Sequence, residues 1–480
     1  MSETDASAPT GAHAAPQAGK LAAPGLSDGA VRASLWLLLV IYTLNFVDRQ
    51  VVAVLGENIK ADLKLNDGQF GLLGGLAFAL FYTVLGIPIA RFAERGNRAH
   101  IISGALAVWS GFTALCGLAA SFAQILAFRV GVGVGEAGCT PPAHSLISDY
   151  VRPEKRASAL ALYSMGVPIG TFLGFALGAV IAERFGWRTA FFVAGAPGIA
   201  LALIAFFVLK EPRKLGLASA RAPATHFPAA LRELAGKPSY WYAVLAATFV
   251  SVLAYGHAYF LPAYLARTHG MGLQERGIGF AIMVLIAGVF GTWLGGQLTD
   301  RIAKRDARAY ASLPGLAFLI GMPFFFAAIL IPAGIYQIGG ASIASGYLAL
   351  VLIGAPTCMN SVWYGPLYAA VQTLAAPRTR ATAVAIMFFV LNLLGLGFGP
   401  TIIGRLSDHF AARLFNSADP AAYAAACPPG GRDPLCLAAA ADGLEQSLLT
   451  SAAAGLLALL SFALMRATIR QDLSKAAQTA

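Results

Sequence analysis

Apolar stretches of about 20 residues recur along nearly the whole chain, and they limit the possible folds more than any other feature. A helix rises about 1.5 Å per residue, so each stretch can cross the hydrocarbon core of a bilayer. Within lipid, a segment must satisfy its own backbone hydrogen bonds, and a helix does so. The 480-residue sequence is 58% hydrophobic and only 12% charged, about half the charged fraction of soluble globular chains. The alternating segments of about ten residues that are typical of membrane barrels are absent. The sequence therefore predicts an all-α polytopic membrane protein.

We predict twelve membrane spans, in two groups of six. The spans are residues 34–56, 71–91, 100–118, 122–147, 157–182, 188–209, 240–265, 276–300, 312–334, 345–373, 379–404 and 444–466. A basic, proline-containing segment separates the two groups. The predicted domains are a disordered tail (1–33), an N-terminal six-helix bundle (34–209), a linker (210–239), a C-terminal six-helix bundle (240–469) and a C-terminal tail (470–480).

The basic residues predict the orientation of the chain. Most of them fall in loops that face the cytoplasm if the N-terminus does, as Arg91, Arg152 and Arg301 illustrate. We therefore expect a multi-pass protein of a bacterial-type inner membrane, with both termini and the linker in the cytoplasm. The net charge of +11 then reflects topology and not nucleic acid binding. We expect a monomer surrounded by lipid.

Two pairs of segments repeat between the halves. Residues 153–161 (PEKRASALA) open the fifth span, and residues 377–385 (PRTRATAVA) open the eleventh. Residues 90–98 (ARFAERGNR) close the second span, and residues 296–305 (GQLTDRIAKR) close the eighth. Internal duplication with six helices per half is typical of transporters whose halves rock against each other.

These segments resemble signatures of the major facilitator superfamily. Residues 296–305 resemble its loop signature, G-x-L-x-D-R-x-x-[KR]-[KR], whereas the first copy departs from it with Ala90 and Glu94. Residues 129–137 (RVGVGVGEA) resemble its fourth-helix signature, R-x-x-x-G-x-G-E. With residues 45–49 (NFVDR), they also resemble the Spinster family, which is associated with the movement of lysophospholipids and sphingosine phosphate. The resemblance implies two pseudo-symmetric six-helix bundles that alternate access to a central site.

Four ionisable residues lie inside predicted spans: Asp48, Arg49, Arg129 and Glu136. A charge at that depth costs at least about 2.5–3.5 kcal/mol, which favours a functional role. The four formal charges sum to zero, and protonating one carboxylate leaves a charge of +1 that suits an anionic head group. We predict that Asp48 and Glu136 couple protons and that Arg49 and Arg129 contact substrate. The alternative is a permanently ionised network that only orders the bundle.

A second charged group lies at the cytoplasmic helix ends: Glu94, Arg95, Arg98, Asp300 and Arg301. The resemblance implies that Asp300 faces the start of the fifth span and Glu94 the start of the eleventh. These contacts would form a gate that latches the cytoplasmic side while the outer side is open. The alternative is a charge cluster that only sets topology.

Further polar and aromatic residues are possible cavity contacts. They are Asn45, Phe46, His144, Asn360, Tyr368 and Asn392. Packing between helices is the alternative for each of them.

Glycines recur every four residues in the fifth span, from Gly166 to Gly178, and Gly291 and Gly295 form a similar stripe in the eighth. Small residues let helices approach closely in lipid. We interpret both stripes as packing and sliding surfaces between the two halves.

Two of the five cysteines, Cys427 and Cys436, lie in the loop between the last two spans, outside the cytoplasm by this topology. Disulfides persist in that environment, and the turn-forming residues between them allow the ends to meet. We predict a disulfide there.

The sequence favours proton-coupled secondary transport without an enzyme's chemistry. No phosphate-binding loop, His-Glu-x-x-His helix or Gly-x-Ser-x-Gly elbow appears. We expect no cofactor other than the coupling proton, and no metal site. The resemblance implies an amphipathic lysophospholipid or sphingoid phosphate as substrate. A small organic anion, such as an aromatic carboxylate, is the alternative substrate. A receptor or a channel is the alternative to a transporter.

Overall fold

The computed structural model describes residues 21, 22, 25–215, 227–376, 378–415, 423, 425–428, 430, 431 and 433–478. Most of these residues are helical. Eleven helices among them are long and apolar enough to cross a membrane.

The N-terminal half contains ten α-helices and two short 3-10 helices among its described residues. The α-helices are α1 (Asp28–Val54), α2 (Gly56–Leu63), α3 (Asp67–Gly74), α4 (Leu76–Arg95), α5 (Arg98–Cys116), α6 (Phe122–Glu136), α7 (Thr140–Tyr150), α8 (Arg156–Ser164), α9 (Gly166–Phe185) and α10 (Trp187–Val208). The 3-10 helices are Pro153–Lys155 and Pro212–Leu215.

The linker helix and the C-terminal half follow. Their α-helices are α11 (Phe227–Ala235), α12 (Pro238–Arg267), α13 (Leu273–Ile302), α14 (Ala309–Leu330), α15 (Ser345–Ser361), α16 (Tyr364–Leu374), α17 (Arg380–Val390), α18 (Gly397–Leu414) and α19 (Pro434–Gln478). A π-helical turn, Leu391–Leu396, joins α17 to α18. An antiparallel hairpin, β1 (Ile335–Ile338) with β2 (Ala341–Ala344), precedes α15.

The predicted fourth span is two helices, α6 and α7, each of them too short to be among the eleven. At the break, the N–H of Gly138 donates to the carbonyl of Gly135, and that of Cys139 to Glu136, three residues back instead of four. Proline then occupies two early positions of α7, at Pro141 and Pro142, where a helix can begin without an N–H. The break places Glu136 at the end of α6.

The interruptions recur in corresponding helices of the two halves, as internal duplication predicts. The tenth span breaks between α15 and α16, matching the break between α6 and α7. The fifth span breaks at Met165, and the eleventh carries the π-helical turn after its first helix.

The first and last helices extend beyond the apolar segments that predicted them. The first helix begins at Asp28, because the Ser27 side chain accepts the N–H of Ala30 and caps the helix. Residues 28–33 therefore belong to a helix, not to a disordered tail. The last helix continues to Gln478, through part of the predicted C-terminal tail. Hydropathy marks the membrane crossing and not the end of the helix.

The glycine stripes form tight packing surfaces, as predicted, but each stripe packs within its own half, so the prediction that they slide between the halves is wrong. A Cβ at Gly170 would lie 2.3 Å from the Thr43 carbonyl oxygen of α1. A Cβ at Gly291 would lie 2.0 Å from the Cys358 carbonyl oxygen of α15. Close contacts between the halves occur elsewhere: a Cβ at Gly71 would lie 2.3 Å from the Pro400 carbonyl oxygen.

The buried apolar side chains show where the two halves meet. One cluster draws on both halves, with Val54 and Phe175 alongside Phe260 and Phe280. A second cluster is formed mainly by the N-terminal half and a third by the C-terminal half. We call the end where the halves share a core the outer end, following the predicted topology, and the opposite end the inner end.

The cysteine pair joins the loop before α19 to the first turn of that helix, where Cys436 lies. Cys427 and Cys436 are joined by a disulfide, with their Cα atoms 5.4 Å apart. The other cysteines, Cys116, Cys139 and Cys358, are free and buried.

Candidate functional site

Three of the four intramembrane charges meet between α1, α5 and α6. Arg49 and Glu136 form an ion pair, with Nη2 2.7 Å and Nε 2.8 Å from Glu136 Oε2. Asp48 lies beside them, and its Oδ2 accepts a hydrogen bond from Thr113 at 3.1 Å. Asp48 is 1% exposed and Glu136 is fully buried. The break after α6 and the neighbouring positions of Asp48 and Arg49 bring these side chains together.

The fourth charge, Arg129, forms no ion pair among the described residues. It is 2% exposed, and its Nε donates a long hydrogen bond, 3.5 Å, to the Leu73 carbonyl. Its guanidinium carbon lies 5.1 Å from the centroid of the Phe78 ring. The predicted cluster is therefore not a closed set of two ion pairs.

The cluster contains buried polar atoms that have no partner among the described residues. Asp48 Oδ1, Glu136 Oε1 and Asn45 Oδ1 are acceptors without a donor, and Arg129 Nη1 is a donor without an acceptor. Unpaired buried polar groups are rare in folded proteins and are commonly functional. The cluster therefore has room for one species that donates to these oxygens and one that accepts from Arg129 Nη1.

The predicted cavity residues are spread over both halves. Phe46 lies next to the cluster, with its ring centroid 5.1 Å from the Arg49 guanidinium carbon. His144 is exposed and meets the Tyr163 ring edge-on at 5.4 Å. The other three lie in the C-terminal half: Asn360 on α15, Tyr368 on α16 and Asn392 on the π-helical turn.

Those three residues differ in their surroundings. Asn360 Oδ1 is buried without a partner among the described residues. Tyr368 lies over Trp363, with ring centroids 6.4 Å apart. Asn392 belongs to the π-helical turn, a distortion often found at functional sites. The structure thus brings Asn45 and Phe46 to the charge cluster, but shows no contact between the cluster and these three residues.

A second charge network, which the sequence analysis did not identify, joins the halves at the outer end. Arg267 Nη2 lies 2.7 Å from Glu57 Oε1 and 2.7 Å from Asp67 Oδ1. Its Nη1 donates to Asp67 Oδ2 at 2.7 Å. Lys60 contacts both carboxylates from the N-terminal side. The carboxylates stand in the sequence beside the first two spans, but nothing local indicates that Arg267, some 200 residues later, lies opposite them.

A carboxylate of the C-terminal half also caps a helix of the N-terminal half at this end. Asp408, on α18, accepts the backbone N–H of Asp67 at 3.0 Å and that of Gly68 at 2.7 Å. These are the first residues of α3, where free N–H groups and the helix dipole favour an anion. Ser407 donates to Asp67 Oδ2 at 2.7 Å. The outer end is therefore closed by contacts between the halves.

The network holds Glu57 ionised. Burial would raise the pKa of Glu57, but the Arg267 and Lys60 charges outweigh burial and lower the pKa to about 2. The Glu57 side chain is 29% exposed, so solvent reaches this edge of the network.

The predicted cytoplasmic gate is not assembled in this conformation. Arg95, Asp300 and Arg301 are exposed, and none of their side chains forms a hydrogen bond or an ion pair with another described residue. The Glu94 side chain lies outside the described residues. In this conformation the two halves are therefore in contact at the outer end, and the residues of the predicted gate are not in contact at the inner end.

Arg98 differs from its prediction as a gate residue. It is fully buried and contacts Glu211, Asp149 and Ser145, all within the N-terminal half. Its position at the first turn of α5 directs the guanidinium into its own bundle, where two carboxylates balance the charge. Arg98 therefore fastens helices of one half and is not placed to contact the other.

Among the described residues, no group of three or more His, Cys, Asp and Glu side chains is arranged to hold a metal ion.

Comparisons with known proteins agree with this architecture. The family model of the Major Facilitator Superfamily matches residues 38–400. The chain is 34% identical over 383 residues to an MFS-type efflux pump of Mycolicibacterium smegmatis, covering 78% of this chain and 84% of that protein. It is 28% identical over 408 residues to Protein spinster homolog 1 of Homo sapiens, covering 80% of this chain and 74% of that protein.

A solved structure matches nearly the whole fold. It is a bacterial homologue of the human lysosomal transporter Spinster in an inward-facing and unoccupied conformation, and it matches with a TM-score of 0.83 and 34% identity. The match covers 93% of this chain and 99% of that one. The resemblance read from the sequence motifs is thereby confirmed. The chain belongs to the major facilitator superfamily and is a Spinster-like membrane transporter.

Proposed function

We propose that this transporter is proton-coupled, works by rocking its two halves around the charge cluster, and carries an amphipathic anion, a lysophospholipid or a sphingoid phosphate. The observation that carries the proposal is the pattern of unpaired atoms in the cluster. Among the described residues, buried acceptors on Asp48 and Glu136 lack a donor, while Nη1 of Arg129 lacks an acceptor.

A proton is the simplest species that satisfies the acceptors. Protonation converts a carboxylate oxygen from an acceptor into a donor. A proton on Asp48 Oδ1 or Glu136 Oε1 could then be donated to a neighbouring unpaired oxygen. Protonating Glu136 would also weaken its ion pair with Arg49, the most exposed of the four charges at 11% of its side chain.

An anion is the species that satisfies the arginines. With one carboxylate protonated, the four residues carry a net charge of +1, and a guanidinium forms two parallel hydrogen bonds to a phosphate or a carboxylate. Proton and anion would then bind cooperatively, because each reduces the electrostatic cost of the other. The aromatic rings around Arg49 suit the apolar part of an amphipathic molecule.

The closed outer end supports an inward-facing state. In this proposal the inner end faces the cytoplasm, because the basic loops lie there. When the halves rock, the Arg267 and Asp408 contacts separate. Asp300 then reaches the start of the fifth span and Glu94 the start of the eleventh, and these contacts latch the inner end. The outward-facing state would exchange one set of contacts between halves for the other.

Reconstituted transport tests the proposal. Purified protein in liposomes is given radiolabelled lysophosphatidylglycerol, with and without a pH gradient, and benzoate is offered in parallel as a small organic anion. We expect the gradient to drive accumulation of the lysolipid. Equal uptake with and without the gradient would refute proton coupling.

The same assay separates the alternatives. Gradient-driven uptake of benzoate alone would replace the lipid by a small organic anion. Ion conduction without saturation would indicate a channel, and binding without flux would indicate a receptor.

A further inference from the structure

One aromatic ring contacts both arginines of the charge cluster. The centroid of the Phe78 ring, on α4, lies 4.9 Å from the guanidinium carbon of Arg49 and 5.1 Å from that of Arg129. Phe78 is 1% exposed. An arginine within about 6 Å of a ring centroid is attracted to the negative face of the ring, and more strongly where water is excluded.

The two arginines differ in how many other groups contact their guanidinium. Arg49 also has the Glu136 carboxylate, and its guanidinium carbon lies 4.8 Å from the Tyr82 centroid. Arg129 has a 3.5 Å hydrogen bond to the Leu73 carbonyl, and Phe78 is its one cation–π partner among the described residues. Phe78 and the Leu73 carbonyl are therefore the closest partners of the Arg129 guanidinium among the described residues, whereas the Asp48 and Glu136 carboxylates act on it without direct contact.

The ring is held in place independently of the arginines. A Cβ at Gly133 would lie 2.7 Å from the Phe78 carbonyl oxygen, so α6 rests directly on the backbone of α4. The Phe78 ring also stacks on Tyr82, with centroids 5.5 Å apart and planes 14° apart. Because Gly133 stands between Arg129 and Glu136, this contact fixes the distance of both charges from the ring.

We propose that Phe78 is a positioning residue that holds Arg49 and Arg129 together at the anion site and thereby sets the affinity for the transported anion. The inference rests on the proposed function. Two guanidinium groups repel each other, and an aromatic ring close to both offsets that repulsion. An aliphatic side chain of similar size would fill the space without attracting either charge.

Progressive fluorination of Phe78 tests the electrostatic role, since it weakens the negative ring face with little change in shape. Mono-, di- and trifluorophenylalanine are introduced at position 78 in the full chain, and the Kd for lysophosphatidylglycerol is measured. We expect a stepwise rise in Kd that totals about 5- to 30-fold. The same series at Phe191, which is fully buried but has no arginine over its ring among the described residues, should leave Kd unchanged.

Thermal unfolding supplies a readout that does not depend on the substrate. Fluorination at position 78 should lower Tm stepwise in the wild type, and less in Arg129→Gln, where only Arg49 remains close to the ring. If the wild type does not bind the lysolipid, the proposed substrate is wrong. The Tm series then still shows whether the Phe78 ring attracts the two arginines. A flat Tm series, or an unchanged Kd in a protein that does bind, would overturn the role of Phe78 and leave the proposed function intact.

Discussion

At the scale of single residues, the two arginines of the cluster differ in what surrounds them. Arg49 has a carboxylate within 2.7 Å, whereas Arg129 has an aromatic ring and a carbonyl. Asp48 likewise has only the Thr113 hydroxyl as a donor. An ion pair between Asp48 and Arg129 would complete a neutral network, and no such pair occurs among the described residues.

Replacing Asp48 by asparagine should abolish proton-driven accumulation of substrate while leaving the protein folded. Asparagine keeps the shape and can still accept from Thr113, but it does not titrate. Uptake into proteoliposomes across a pH gradient is the measurement, and Asp62→Asn, at an exposed carboxylate that pairs with Arg188, is the matched control. Wild-type accumulation by Asp48→Asn would remove this residue from the coupling mechanism.

Arg129→Ala should weaken substrate binding more than Arg129→Lys does. Alanine removes the charge altogether, whereas lysine keeps it but loses the planar group that contacts a phosphate at two points. We expect the alanine variant to lose about 2–5 kcal/mol of binding free energy, as is usual when a buried charged partner is removed. Equal and small effects, measured by equilibrium binding, would favour the network that only orders the bundle.

The sequence predicts which residues form the cluster but not how they pair. Charges inside apolar segments are visible directly, because their insertion is costly. Partner choice depends on helix packing: Phe78 enters the site because Gly133 permits close contact, and neither residue carries a local signal of that role. The role of Arg267 could not be predicted for the same reason, because its partners lie in the other half of the chain.

At the scale of helices, close glycine contacts determine how α6 sits on its neighbours. Gly133 faces the Phe78 carbonyl, and Gly135 would place a Cβ 2.6 Å from the Trp109 backbone nitrogen. Periodic glycines correctly predict tight helix packing, but they do not identify the partner helix. The stripe in the fifth span, for example, packs on α1 and not on the other half, which the sequence did not indicate. The span positions were predictable from hydropathy, whereas the break after Glu136 depends on local hydrogen bonding.

Gly133→Ala should therefore destabilise the protein and impair transport. The added methyl group would overlap the Phe78 carbonyl, and such overpacking typically costs about 1–3 kcal/mol. Gly104→Ala is the control, because a Cβ there meets no atom within 4 Å and alanine favours a helix by about 0.5–1 kcal/mol. Thermal unfolding in detergent should show a lower Tm for the first variant only, and equal Tm values would argue against the close contact.

At the scale of the whole molecule, the contacts between the halves are concentrated at the outer end. The Arg267 network, the Asp408 cap and the shared apolar core all lie there. At the inner end, Asp300 stands exposed. The duplicated architecture was predictable from the repeated motifs, but the conformation was not, because one sequence must specify both states of a rocking transporter.

Asp408→Asn should shift the population towards a state that is open at the outer end. The carboxylate caps the first residues of α3, and loss of its charge weakens that contact by up to about 1 kcal/mol, or about five-fold in population. Spin labels at Lys64 and Gly270, exposed on opposite halves, report the distance. Asp433→Asn, which removes a cap within the C-terminal half, is the control. An unchanged distance distribution would exclude Asp408 from the closure.

Acid should weaken the outer closure through Glu57. In the closed state the pKa of Glu57 is about 2, held down by Arg267 and Lys60 against the effect of burial. When the halves separate and Arg267 moves away, the pKa should return towards the ordinary value of about 4.3. A carboxylate whose pKa is depressed in the closed state stabilises that state fully above the higher of the two values. Its contribution is lost as the pH falls through the lower one.

We therefore expect the closed fraction of wild type, measured with the same spin labels, to exceed that of Glu57→Gln at neutral pH. The difference should shrink between about pH 4.3 and about pH 2, because protonated Glu57 and glutamine are then both uncharged. Asp62→Asn should track wild type throughout, since Asp62 pairs with Arg188 inside one half and does not bridge the two. If the difference between wild type and Glu57→Gln stays constant through this range, the ionised Glu57 carboxylate does not hold the outer end closed.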